Sequence, residues 1–243
     1  MTLLDRLTIA NHRGRPVPRV LGLLLAPAAV LAVAARGDVV RAGWMATAAL
    51  LAVLAAGTAD DLAPQVARGI RNHLRALAAG RPTTGIAKLV VIVAAAASVA
   101  IVAGFPAPVA TTAGAVLIAA TTNLANGLDV RPGRALKVMV PLTLLGFLGD
   151  GAVQPYLPGL ALALVPALVV DLRERAMLGD GGSNLVGFAA GVALATTLPG
   201  WALPVAASAG VVLNVLAETV SLSTLIERSR ALRAIDRLGR RAD

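Results

Sequence analysis

The sequence predicts an all-α, polytopic integral membrane protein, and three observations carry that expectation. Hydrophobic residues form 57% of the 243-residue chain and charged residues 14%, with a mean hydropathy of +0.79. A soluble core needs no such excess. Apolar runs close to the ~20 residues that cross a bilayer recur along the chain. Lys and Arg crowd into alternate connections between those runs, the asymmetry that orients a membrane protein.

Eight runs can be placed, at roughly 17–35, 42–59, 86–105, 107–123, 135–149, 154–171, 183–199 and 201–222. With the N-terminus in the cytoplasm, 20 of the 22 Lys and Arg residues lie on that side, leaving Arg36 and Arg41 outside. The expected topology is therefore about eight transmembrane helices, N-in and C-in, with the functional loops on the cytoplasmic face. Residues 1–222 read as one transmembrane domain and 223–243 as a basic interfacial cytoplasmic tail. The opening MTLLDRLTIANHRGR has no signal-peptide pattern, so membrane insertion is expected to begin with the first span.

The net charge of +9 follows from this orientation and from attraction to anionic membrane lipid, and nucleic acid is not expected as a partner. Cysteine is absent, which removes disulfides and thiolate metal sites and leaves oxygen ligands or the two histidines, His12 and His73. The spans are nearly free of ionisable groups. Glu218, near the inner end of the last, is the exception, which weighs against a transporter lined with charge at the bilayer midplane.

The second run closes in AAGTADDLAPQ, with Asp60 and Asp61 side by side. A helix C-terminus is the negative end of the macrodipole, so two carboxylates there need a cation. A solvated helix end explains one acid better than it explains a pair. A hard divalent cation such as Mg²⁺, or Mn²⁺ in its place, suits oxygen-only ligands and commonly travels with phosphates. In the loop that follows, Val66, Ile70, Leu74 and Leu77 fall on one helical stripe with Arg68, Arg71 and Arg75 opposite, the pattern of a helix lying in the membrane interface. His73 sits at the edge of that stripe and reads as structural rather than as a base.

Lys88, in the first turn of the third run, and Lys137 are the two lysines against 20 arginines. A compact ammonium at a span entrance suits phosphate binding, though a snorkelling anchor explains Lys137 as well. TTNLANGLDVRPGRALK places Asn123, Asn126 and Asp129 at intervals of three, so a continuing helix would present two amides and a carboxylate on one face. In AMLGDGGSNLVG, Asp180 precedes Gly181 and Gly182, and Ser183 stands where it would cap the next helix. Free N–H groups at such a start bind phosphate, and the adjacent acid can hold a bridging metal.

In this order these segments resemble the polyprenyl-phosphate N-acetylhexosamine-1-phosphate transferases, the glycosyltransferase family 4 group that includes phospho-N-acetylmuramoyl-pentapeptide transferase. The likeness runs from NHRGRPVPRVLG to GDGGSNLVGFAAG. It implies that Asp60, Asp61 and Lys88 are catalytic. Asn123, Asn126, Asp129 and Ser183 would bind substrate, and Asp180 would ligate Mg²⁺. The implied reaction is attack by a polyprenyl-phosphate oxygen on a phosphate of a UDP-sugar, giving a polyprenyl-diphosphate sugar and UMP for cell-envelope glycan synthesis. Homodimerisation and residence in a bacterial cytoplasmic membrane are implied too. Two departures stand out: about eight spans instead of ten, and no histidine after His73 where the family has a His-rich loop. They keep a second expectation open, a catalytically inactive member that binds polyprenyl phosphate or protein partners and regulates envelope assembly.

Overall fold

The structure, a computed structural model, describes residues 2–63, 70–149 and 151–240. It is overwhelmingly helical, in chain order α1 (Leu3–Leu7), α2 (Leu21–Ala34), α3 (Arg41–Leu62), α4 (Ile70–Ala78), α5 (Thr84–Val102), α6 (Pro108–Leu128), α7 (Arg134–Leu144), α8 (Leu157–Leu172), α9 (Gly179–Thr197), α10 (Ala202–Thr219), α11 (Leu222–Arg228) and α12 (Arg230–Arg237). A short antiparallel hairpin, β1 (Thr8–Ala10) with β2 (Pro16–Pro18), precedes α2.

Among the described residues four helices are long and apolar enough to cross a membrane: α3, α5, α6 and α10. The other four apolar runs take different forms. Those at 17–35 and 154–171 become α2 and α8, apolar helices of 14 and 16 residues, each with an internal proline, Pro27 and Pro166. The run at 135–149 gives an 11-residue α7 containing Pro141, followed by a 3₁₀ turn over Leu145–Leu148. At 1.5 Å per residue, α7 is about half the ~30 Å of a hydrocarbon core. The run at 183–199 falls largely in α9, which ends at Thr197 and is buried along Gly181–Ala193 and again at Ala195.

That burial makes α9 the central helix, packed against α2, α3, α6 and α7, while α5 and α10 flank α6 and α8 flanks α2. Apolar character all round suits a helix enclosed by others. Small residues let its first turn come close to its neighbours. A side chain at Gly57 of α3 would place Cβ 2.5 Å from the carbonyl oxygen of Asp180 and 2.7 Å from Gly181 Cα, so glycine sets the α3–α9 spacing.

The hairpin was not anticipated. It is tied to the segment leading into α9, where Met177 N–H donates to the Pro18 carbonyl at 2.9 Å and Leu21 N–H to the Met177 carbonyl at 3.2 Å. Its turn is anchored by Asn11, which donates to Glu174 at 2.8 Å. Of the expected interfacial stripe, Leu77 is exposed on α4. Val66 and Arg68 lie outside the described residues.

Candidate functional site

The carboxylates at the end of α3 divide, each taking its own cation. Lys88, from the first turns of α5, lies 2.6 Å from Asp60 Oδ2 and donates also to Asp180 Oδ2 of α9. The second Asp60 oxygen accepts from the Thr84 hydroxyl. Asp61 turns the other way. Arg19 Nη1 approaches its Oδ1 to 2.6 Å, Arg19 Nη2 donates to its backbone carbonyl, and its Oδ2 accepts from Gly181 N–H at 3.1 Å. Both charges at the negative helix end are thereby neutralised by residues of other elements. Asp60, Lys88 and Asp180 are partly open to solvent, whereas the Asp61 and Arg19 side chains are nearly enclosed.

Asn123 and Asn126, with Lys88, line a cavity of about 360 Å³ closed by His73, Asn214 and Glu218. Asn123 donates to Asn214 Oδ1 at 2.6 Å, and the Asn214 amide donates in turn to the Ala120 and Gly210 carbonyls. Asn126 accepts from Ser183 Oγ at 3.1 Å. His73 Nδ1 is paired with Thr83 Oγ1 at 2.8 Å, where Thr83 caps α5. The ring packs against Gly85, the structural role expected of it.

Three expectations require correction. Ser183 does not cap α9: the helix begins at Gly179, which adopts φ 65°, so Ser183 is a helical residue bonded to Asn126. The N–H of Gly181, expected to be free for an anion, is taken by Asp61. Asp129 also leaves the face shared by Asn123 and Asn126. The helix ends at Leu128, and Asp129 is its C-cap, ~120° round the helix from Asn123. Its side chain lines a separate cavity of about 40 Å³ with His12, Asp171 and Glu174. There burial, reinforced by the carboxylates of Asp171, Asp180 and Asp61, pushes Asp129 well above the ordinary carboxylate range.

Lys137 serves a different purpose, donating to the Ile235 and Asp236 carbonyls at 3.0 and 2.7 Å. Beside it, Arg134 forms a bidentate pair with Asp236 at 2.8 and 3.0 Å. Burial opposes ionisation of Asp236, but Arg134, Arg240 and Lys137 outweigh it and hold the carboxyl below its usual range.

No three His, Asp or Glu side chains among the described residues gather around one point as a ready-made metal cage. Asp60 and Asp180 do converge, on the Lys88 ammonium. Mg²⁺ commonly uses one or two carboxylates and completes its octahedron with water and substrate phosphate. The pair therefore fits a cation that arrives with phosphate. Arg19 and Asn214 escaped the sequence reading because an arginine flanking a span and an amide inside one carry no local signal of their partners. In comparison with known proteins, no protein-family model matches the chain and no curated protein matches it.

Proposed function

We propose that the chain transfers a sugar-1-phosphate from a UDP-sugar to a polyprenyl phosphate at the cytoplasmic membrane face, in an N-in, C-in arrangement of eight apolar segments. One juxtaposition carries this reading. The cavity beside Lys88 shares Leu89, Asn123, Asn214 and Glu218 with an almost wholly apolar groove of about 480 Å³ between α5, α6 and α10. A ligand with a phosphate head and a long hydrocarbon tail suits that pair of volumes: the groove takes the tail and the ammonium takes the head.

In the proposed step a lipid-phosphate oxygen forms a bond to the sugar-linked phosphorus. The bond from that phosphorus to the bridging oxygen breaks, and its electrons leave with UMP. Lys88 would release one carboxylate to hold phosphate, and Asp60 would orient the lipid phosphate or accept its proton. Asn123 and Asn126 would present amides to the donor. A divalent cation held by Asp180 and Asp60 would supply charge neutralisation, the main requirement of phosphoryl transfer.

UMP release by the purified protein with undecaprenyl phosphate, Mg²⁺ and a panel of UDP-sugars tests the reading, alongside Asp60→Asn and Asp180→Asn. Metal-dependent release that both substitutions abolish is the expected result. A second reading, a lipid-phosphate-binding regulator without transfer activity, draws on the Lys88 ammonium filling the convergence point of the two acids. Retained binding of undecaprenyl phosphate with no UMP from any donor would establish it in place of the first.

A further inference from the structure

The C-terminal helix α12 faces two ways. On its inner side Asp236 is 5% exposed, gripped by Arg134, by Arg240 at 2.6 Å and, through its carbonyl, by Lys137. An ion pair this enclosed fixes which side of the helix faces the protein. On the outer side Leu232, Ile235 and Leu238 are 49%, 58% and 70% exposed. Spaced by three, with Leu238 at the C-cap just past the helix end, they form an exposed apolar ridge. By the 100° helical repeat Arg230, Arg233 and Arg237 fall on the face opposite that ridge, where Arg233 donates to the Glu227 carbonyl at 3.1 Å. Among the described residues of α11 and α12 the other acid, Glu227, is paired with Arg237 at 3.1 Å.

Three features together name the occupant. An amphipathic helix with an apolar ridge on one face and arginines on the other matches the surface of an anionic bilayer, lying in the interface with the ridge towards the acyl chains and the guanidinium groups drawn to the headgroups. The segment is also in reach of a membrane, since only the seven-residue α11 separates α12 from the candidate span α10. Finally, the inner face is already committed to the protein through Asp236, leaving the ridge as the face that meets the surroundings.

The docking bears on the cavity as well. Arg134, which holds Asp236, also donates from Nη1 to Ser223 Oγ at 2.8 Å. Ser223, with Ser221 and Leu222, forms one wall of the 360 Å³ cavity. One guanidinium thus joins the helix latch to the cavity rim. We propose that α12 docks on an anionic lipid leaflet through Leu232, Ile235 and Leu238 while Asp236 latches it to Arg134, so that a lipid contact sets the position of the cavity wall Ser221–Ser223. This inference is independent of the transferase reading and requires no catalytic activity.

The absence of cysteine in the 243 residues permits a direct test on the whole of this chain. Ile235→Cys is labelled with an environment-sensitive fluorophore, and the protein is placed in nanodiscs of phosphatidylcholine with or without phosphatidylglycerol. With phosphatidylglycerol present, the expected result is a blue-shifted emission quenched by shallow doxyl-lipids, with both effects weakened by Arg230→Glu and by high salt. A nitroxide at Thr224→Cys reports on the wall and should become mobile when Asp236→Asn is added. A label at residue 235 that stays in water in both discs overturns the leaflet docking. A blue shift insensitive to lipid quenchers overturns it too, and indicates a second protein copy as the occupant. A wall unaffected by Asp236→Asn overturns the coupling.

Discussion

Arg19 Nη1 stands 2.6 Å from Asp61 Oδ1, joining the residue just after the β-hairpin to the last turn of a helix 42 positions further along. Because Gly181 N–H shares the same carboxylate, three distant segments meet on Asp61. Asp61 is thus a strut that sets the start of α9, and Asp60 is the member of the pair left beside Lys88. Arg19→Met and Asp61→Asn should each cost about 3 kcal/mol, as expected for one partner removed from an enclosed pair. The double variant should lose clearly less than the sum. Thermal unfolding in detergent measures the cycle, and strict additivity would show that the pair carries no coupling.

Lys88 has the opposite character, one ammonium serving two partly exposed acids. Lys88→Met leaves Asp60 and Asp180 facing each other without a cation. The loss should be about 2 kcal/mol, between the ~1 of an exposed pair and the ~3–5 of a buried one. Added Mg²⁺ should restore part of that stability in Lys88→Met and much less in the parent chain. Melting curves with and without Mg²⁺ decide the matter, and equal responses would argue that the two acids do not form a cation site.

Gly57 touches none of the proposed chemistry, yet it should be as sensitive as a site residue. A methyl group there meets the Asp180 carbonyl and Gly181 Cα, both backbone atoms, so α9 must move. Gly57→Ala should destabilise the protein by about 1–3 kcal/mol, the usual range for overpacking. It should also abolish binding of phosphate ligands at Lys88. Isothermal titration with undecaprenyl phosphate measures this, and wild-type affinity would show that the α3–α9 spacing is not critical.

Asp129 supplies a pH test whose sign is set by its raised pKa. A carboxyl with a folded pKa above its unfolded value of ~3.9 stabilises the fold below that value and loses the contribution as pH rises through the folded pKa. Asp129→Asn keeps the neutral shape at every pH. The variant should therefore melt higher than the parent at pH 7.5, with the difference shrinking as pH falls towards 4. A variant less stable at pH 7.5 would mean that the hydrogen bond from Gly179 N–H outweighs burial and the neighbouring acids.

Asp236 behaves in the opposite sense, since its pKa is held down. Its contribution is present above the unfolded value of ~3.9 and is lost as pH falls through the lower folded value. A nitroxide at Thr224→Cys should accordingly be immobile from pH 7 to pH 5 and gain mobility only below about 4. Release at a higher pH would show that the Asp236 carboxylate is not what holds the tail.

Membrane character, helical class and the acids gathered at helix ends were all legible in the sequence. Each is a local property: the length of an apolar run, its flanking charges, a carboxylate at the wrong end of a dipole. The cavity-lining roles of Asn123 and Asn126 followed from their spacing, since both remain inside α6. Asp129 did not follow, because each step of three turns ~60° round the helix, so the third residue of the series stands ~120° from the first and meets a different cavity. Four apolar runs likewise gave short or enclosed helices, because hydropathy alone does not separate a segment facing lipid from one buried among its neighbours. Only the tertiary structure decided which cation each acid received. Asp60 and Asp180 share a lysine, the latter across 92 positions of sequence, and Asp61 and Asp236 each take an arginine, the latter across 102. Charge neutralisation depends on distance in space, and the packing of α9 against α3 and the bonds from Arg134 and Lys137 of α7 to α12 set those distances.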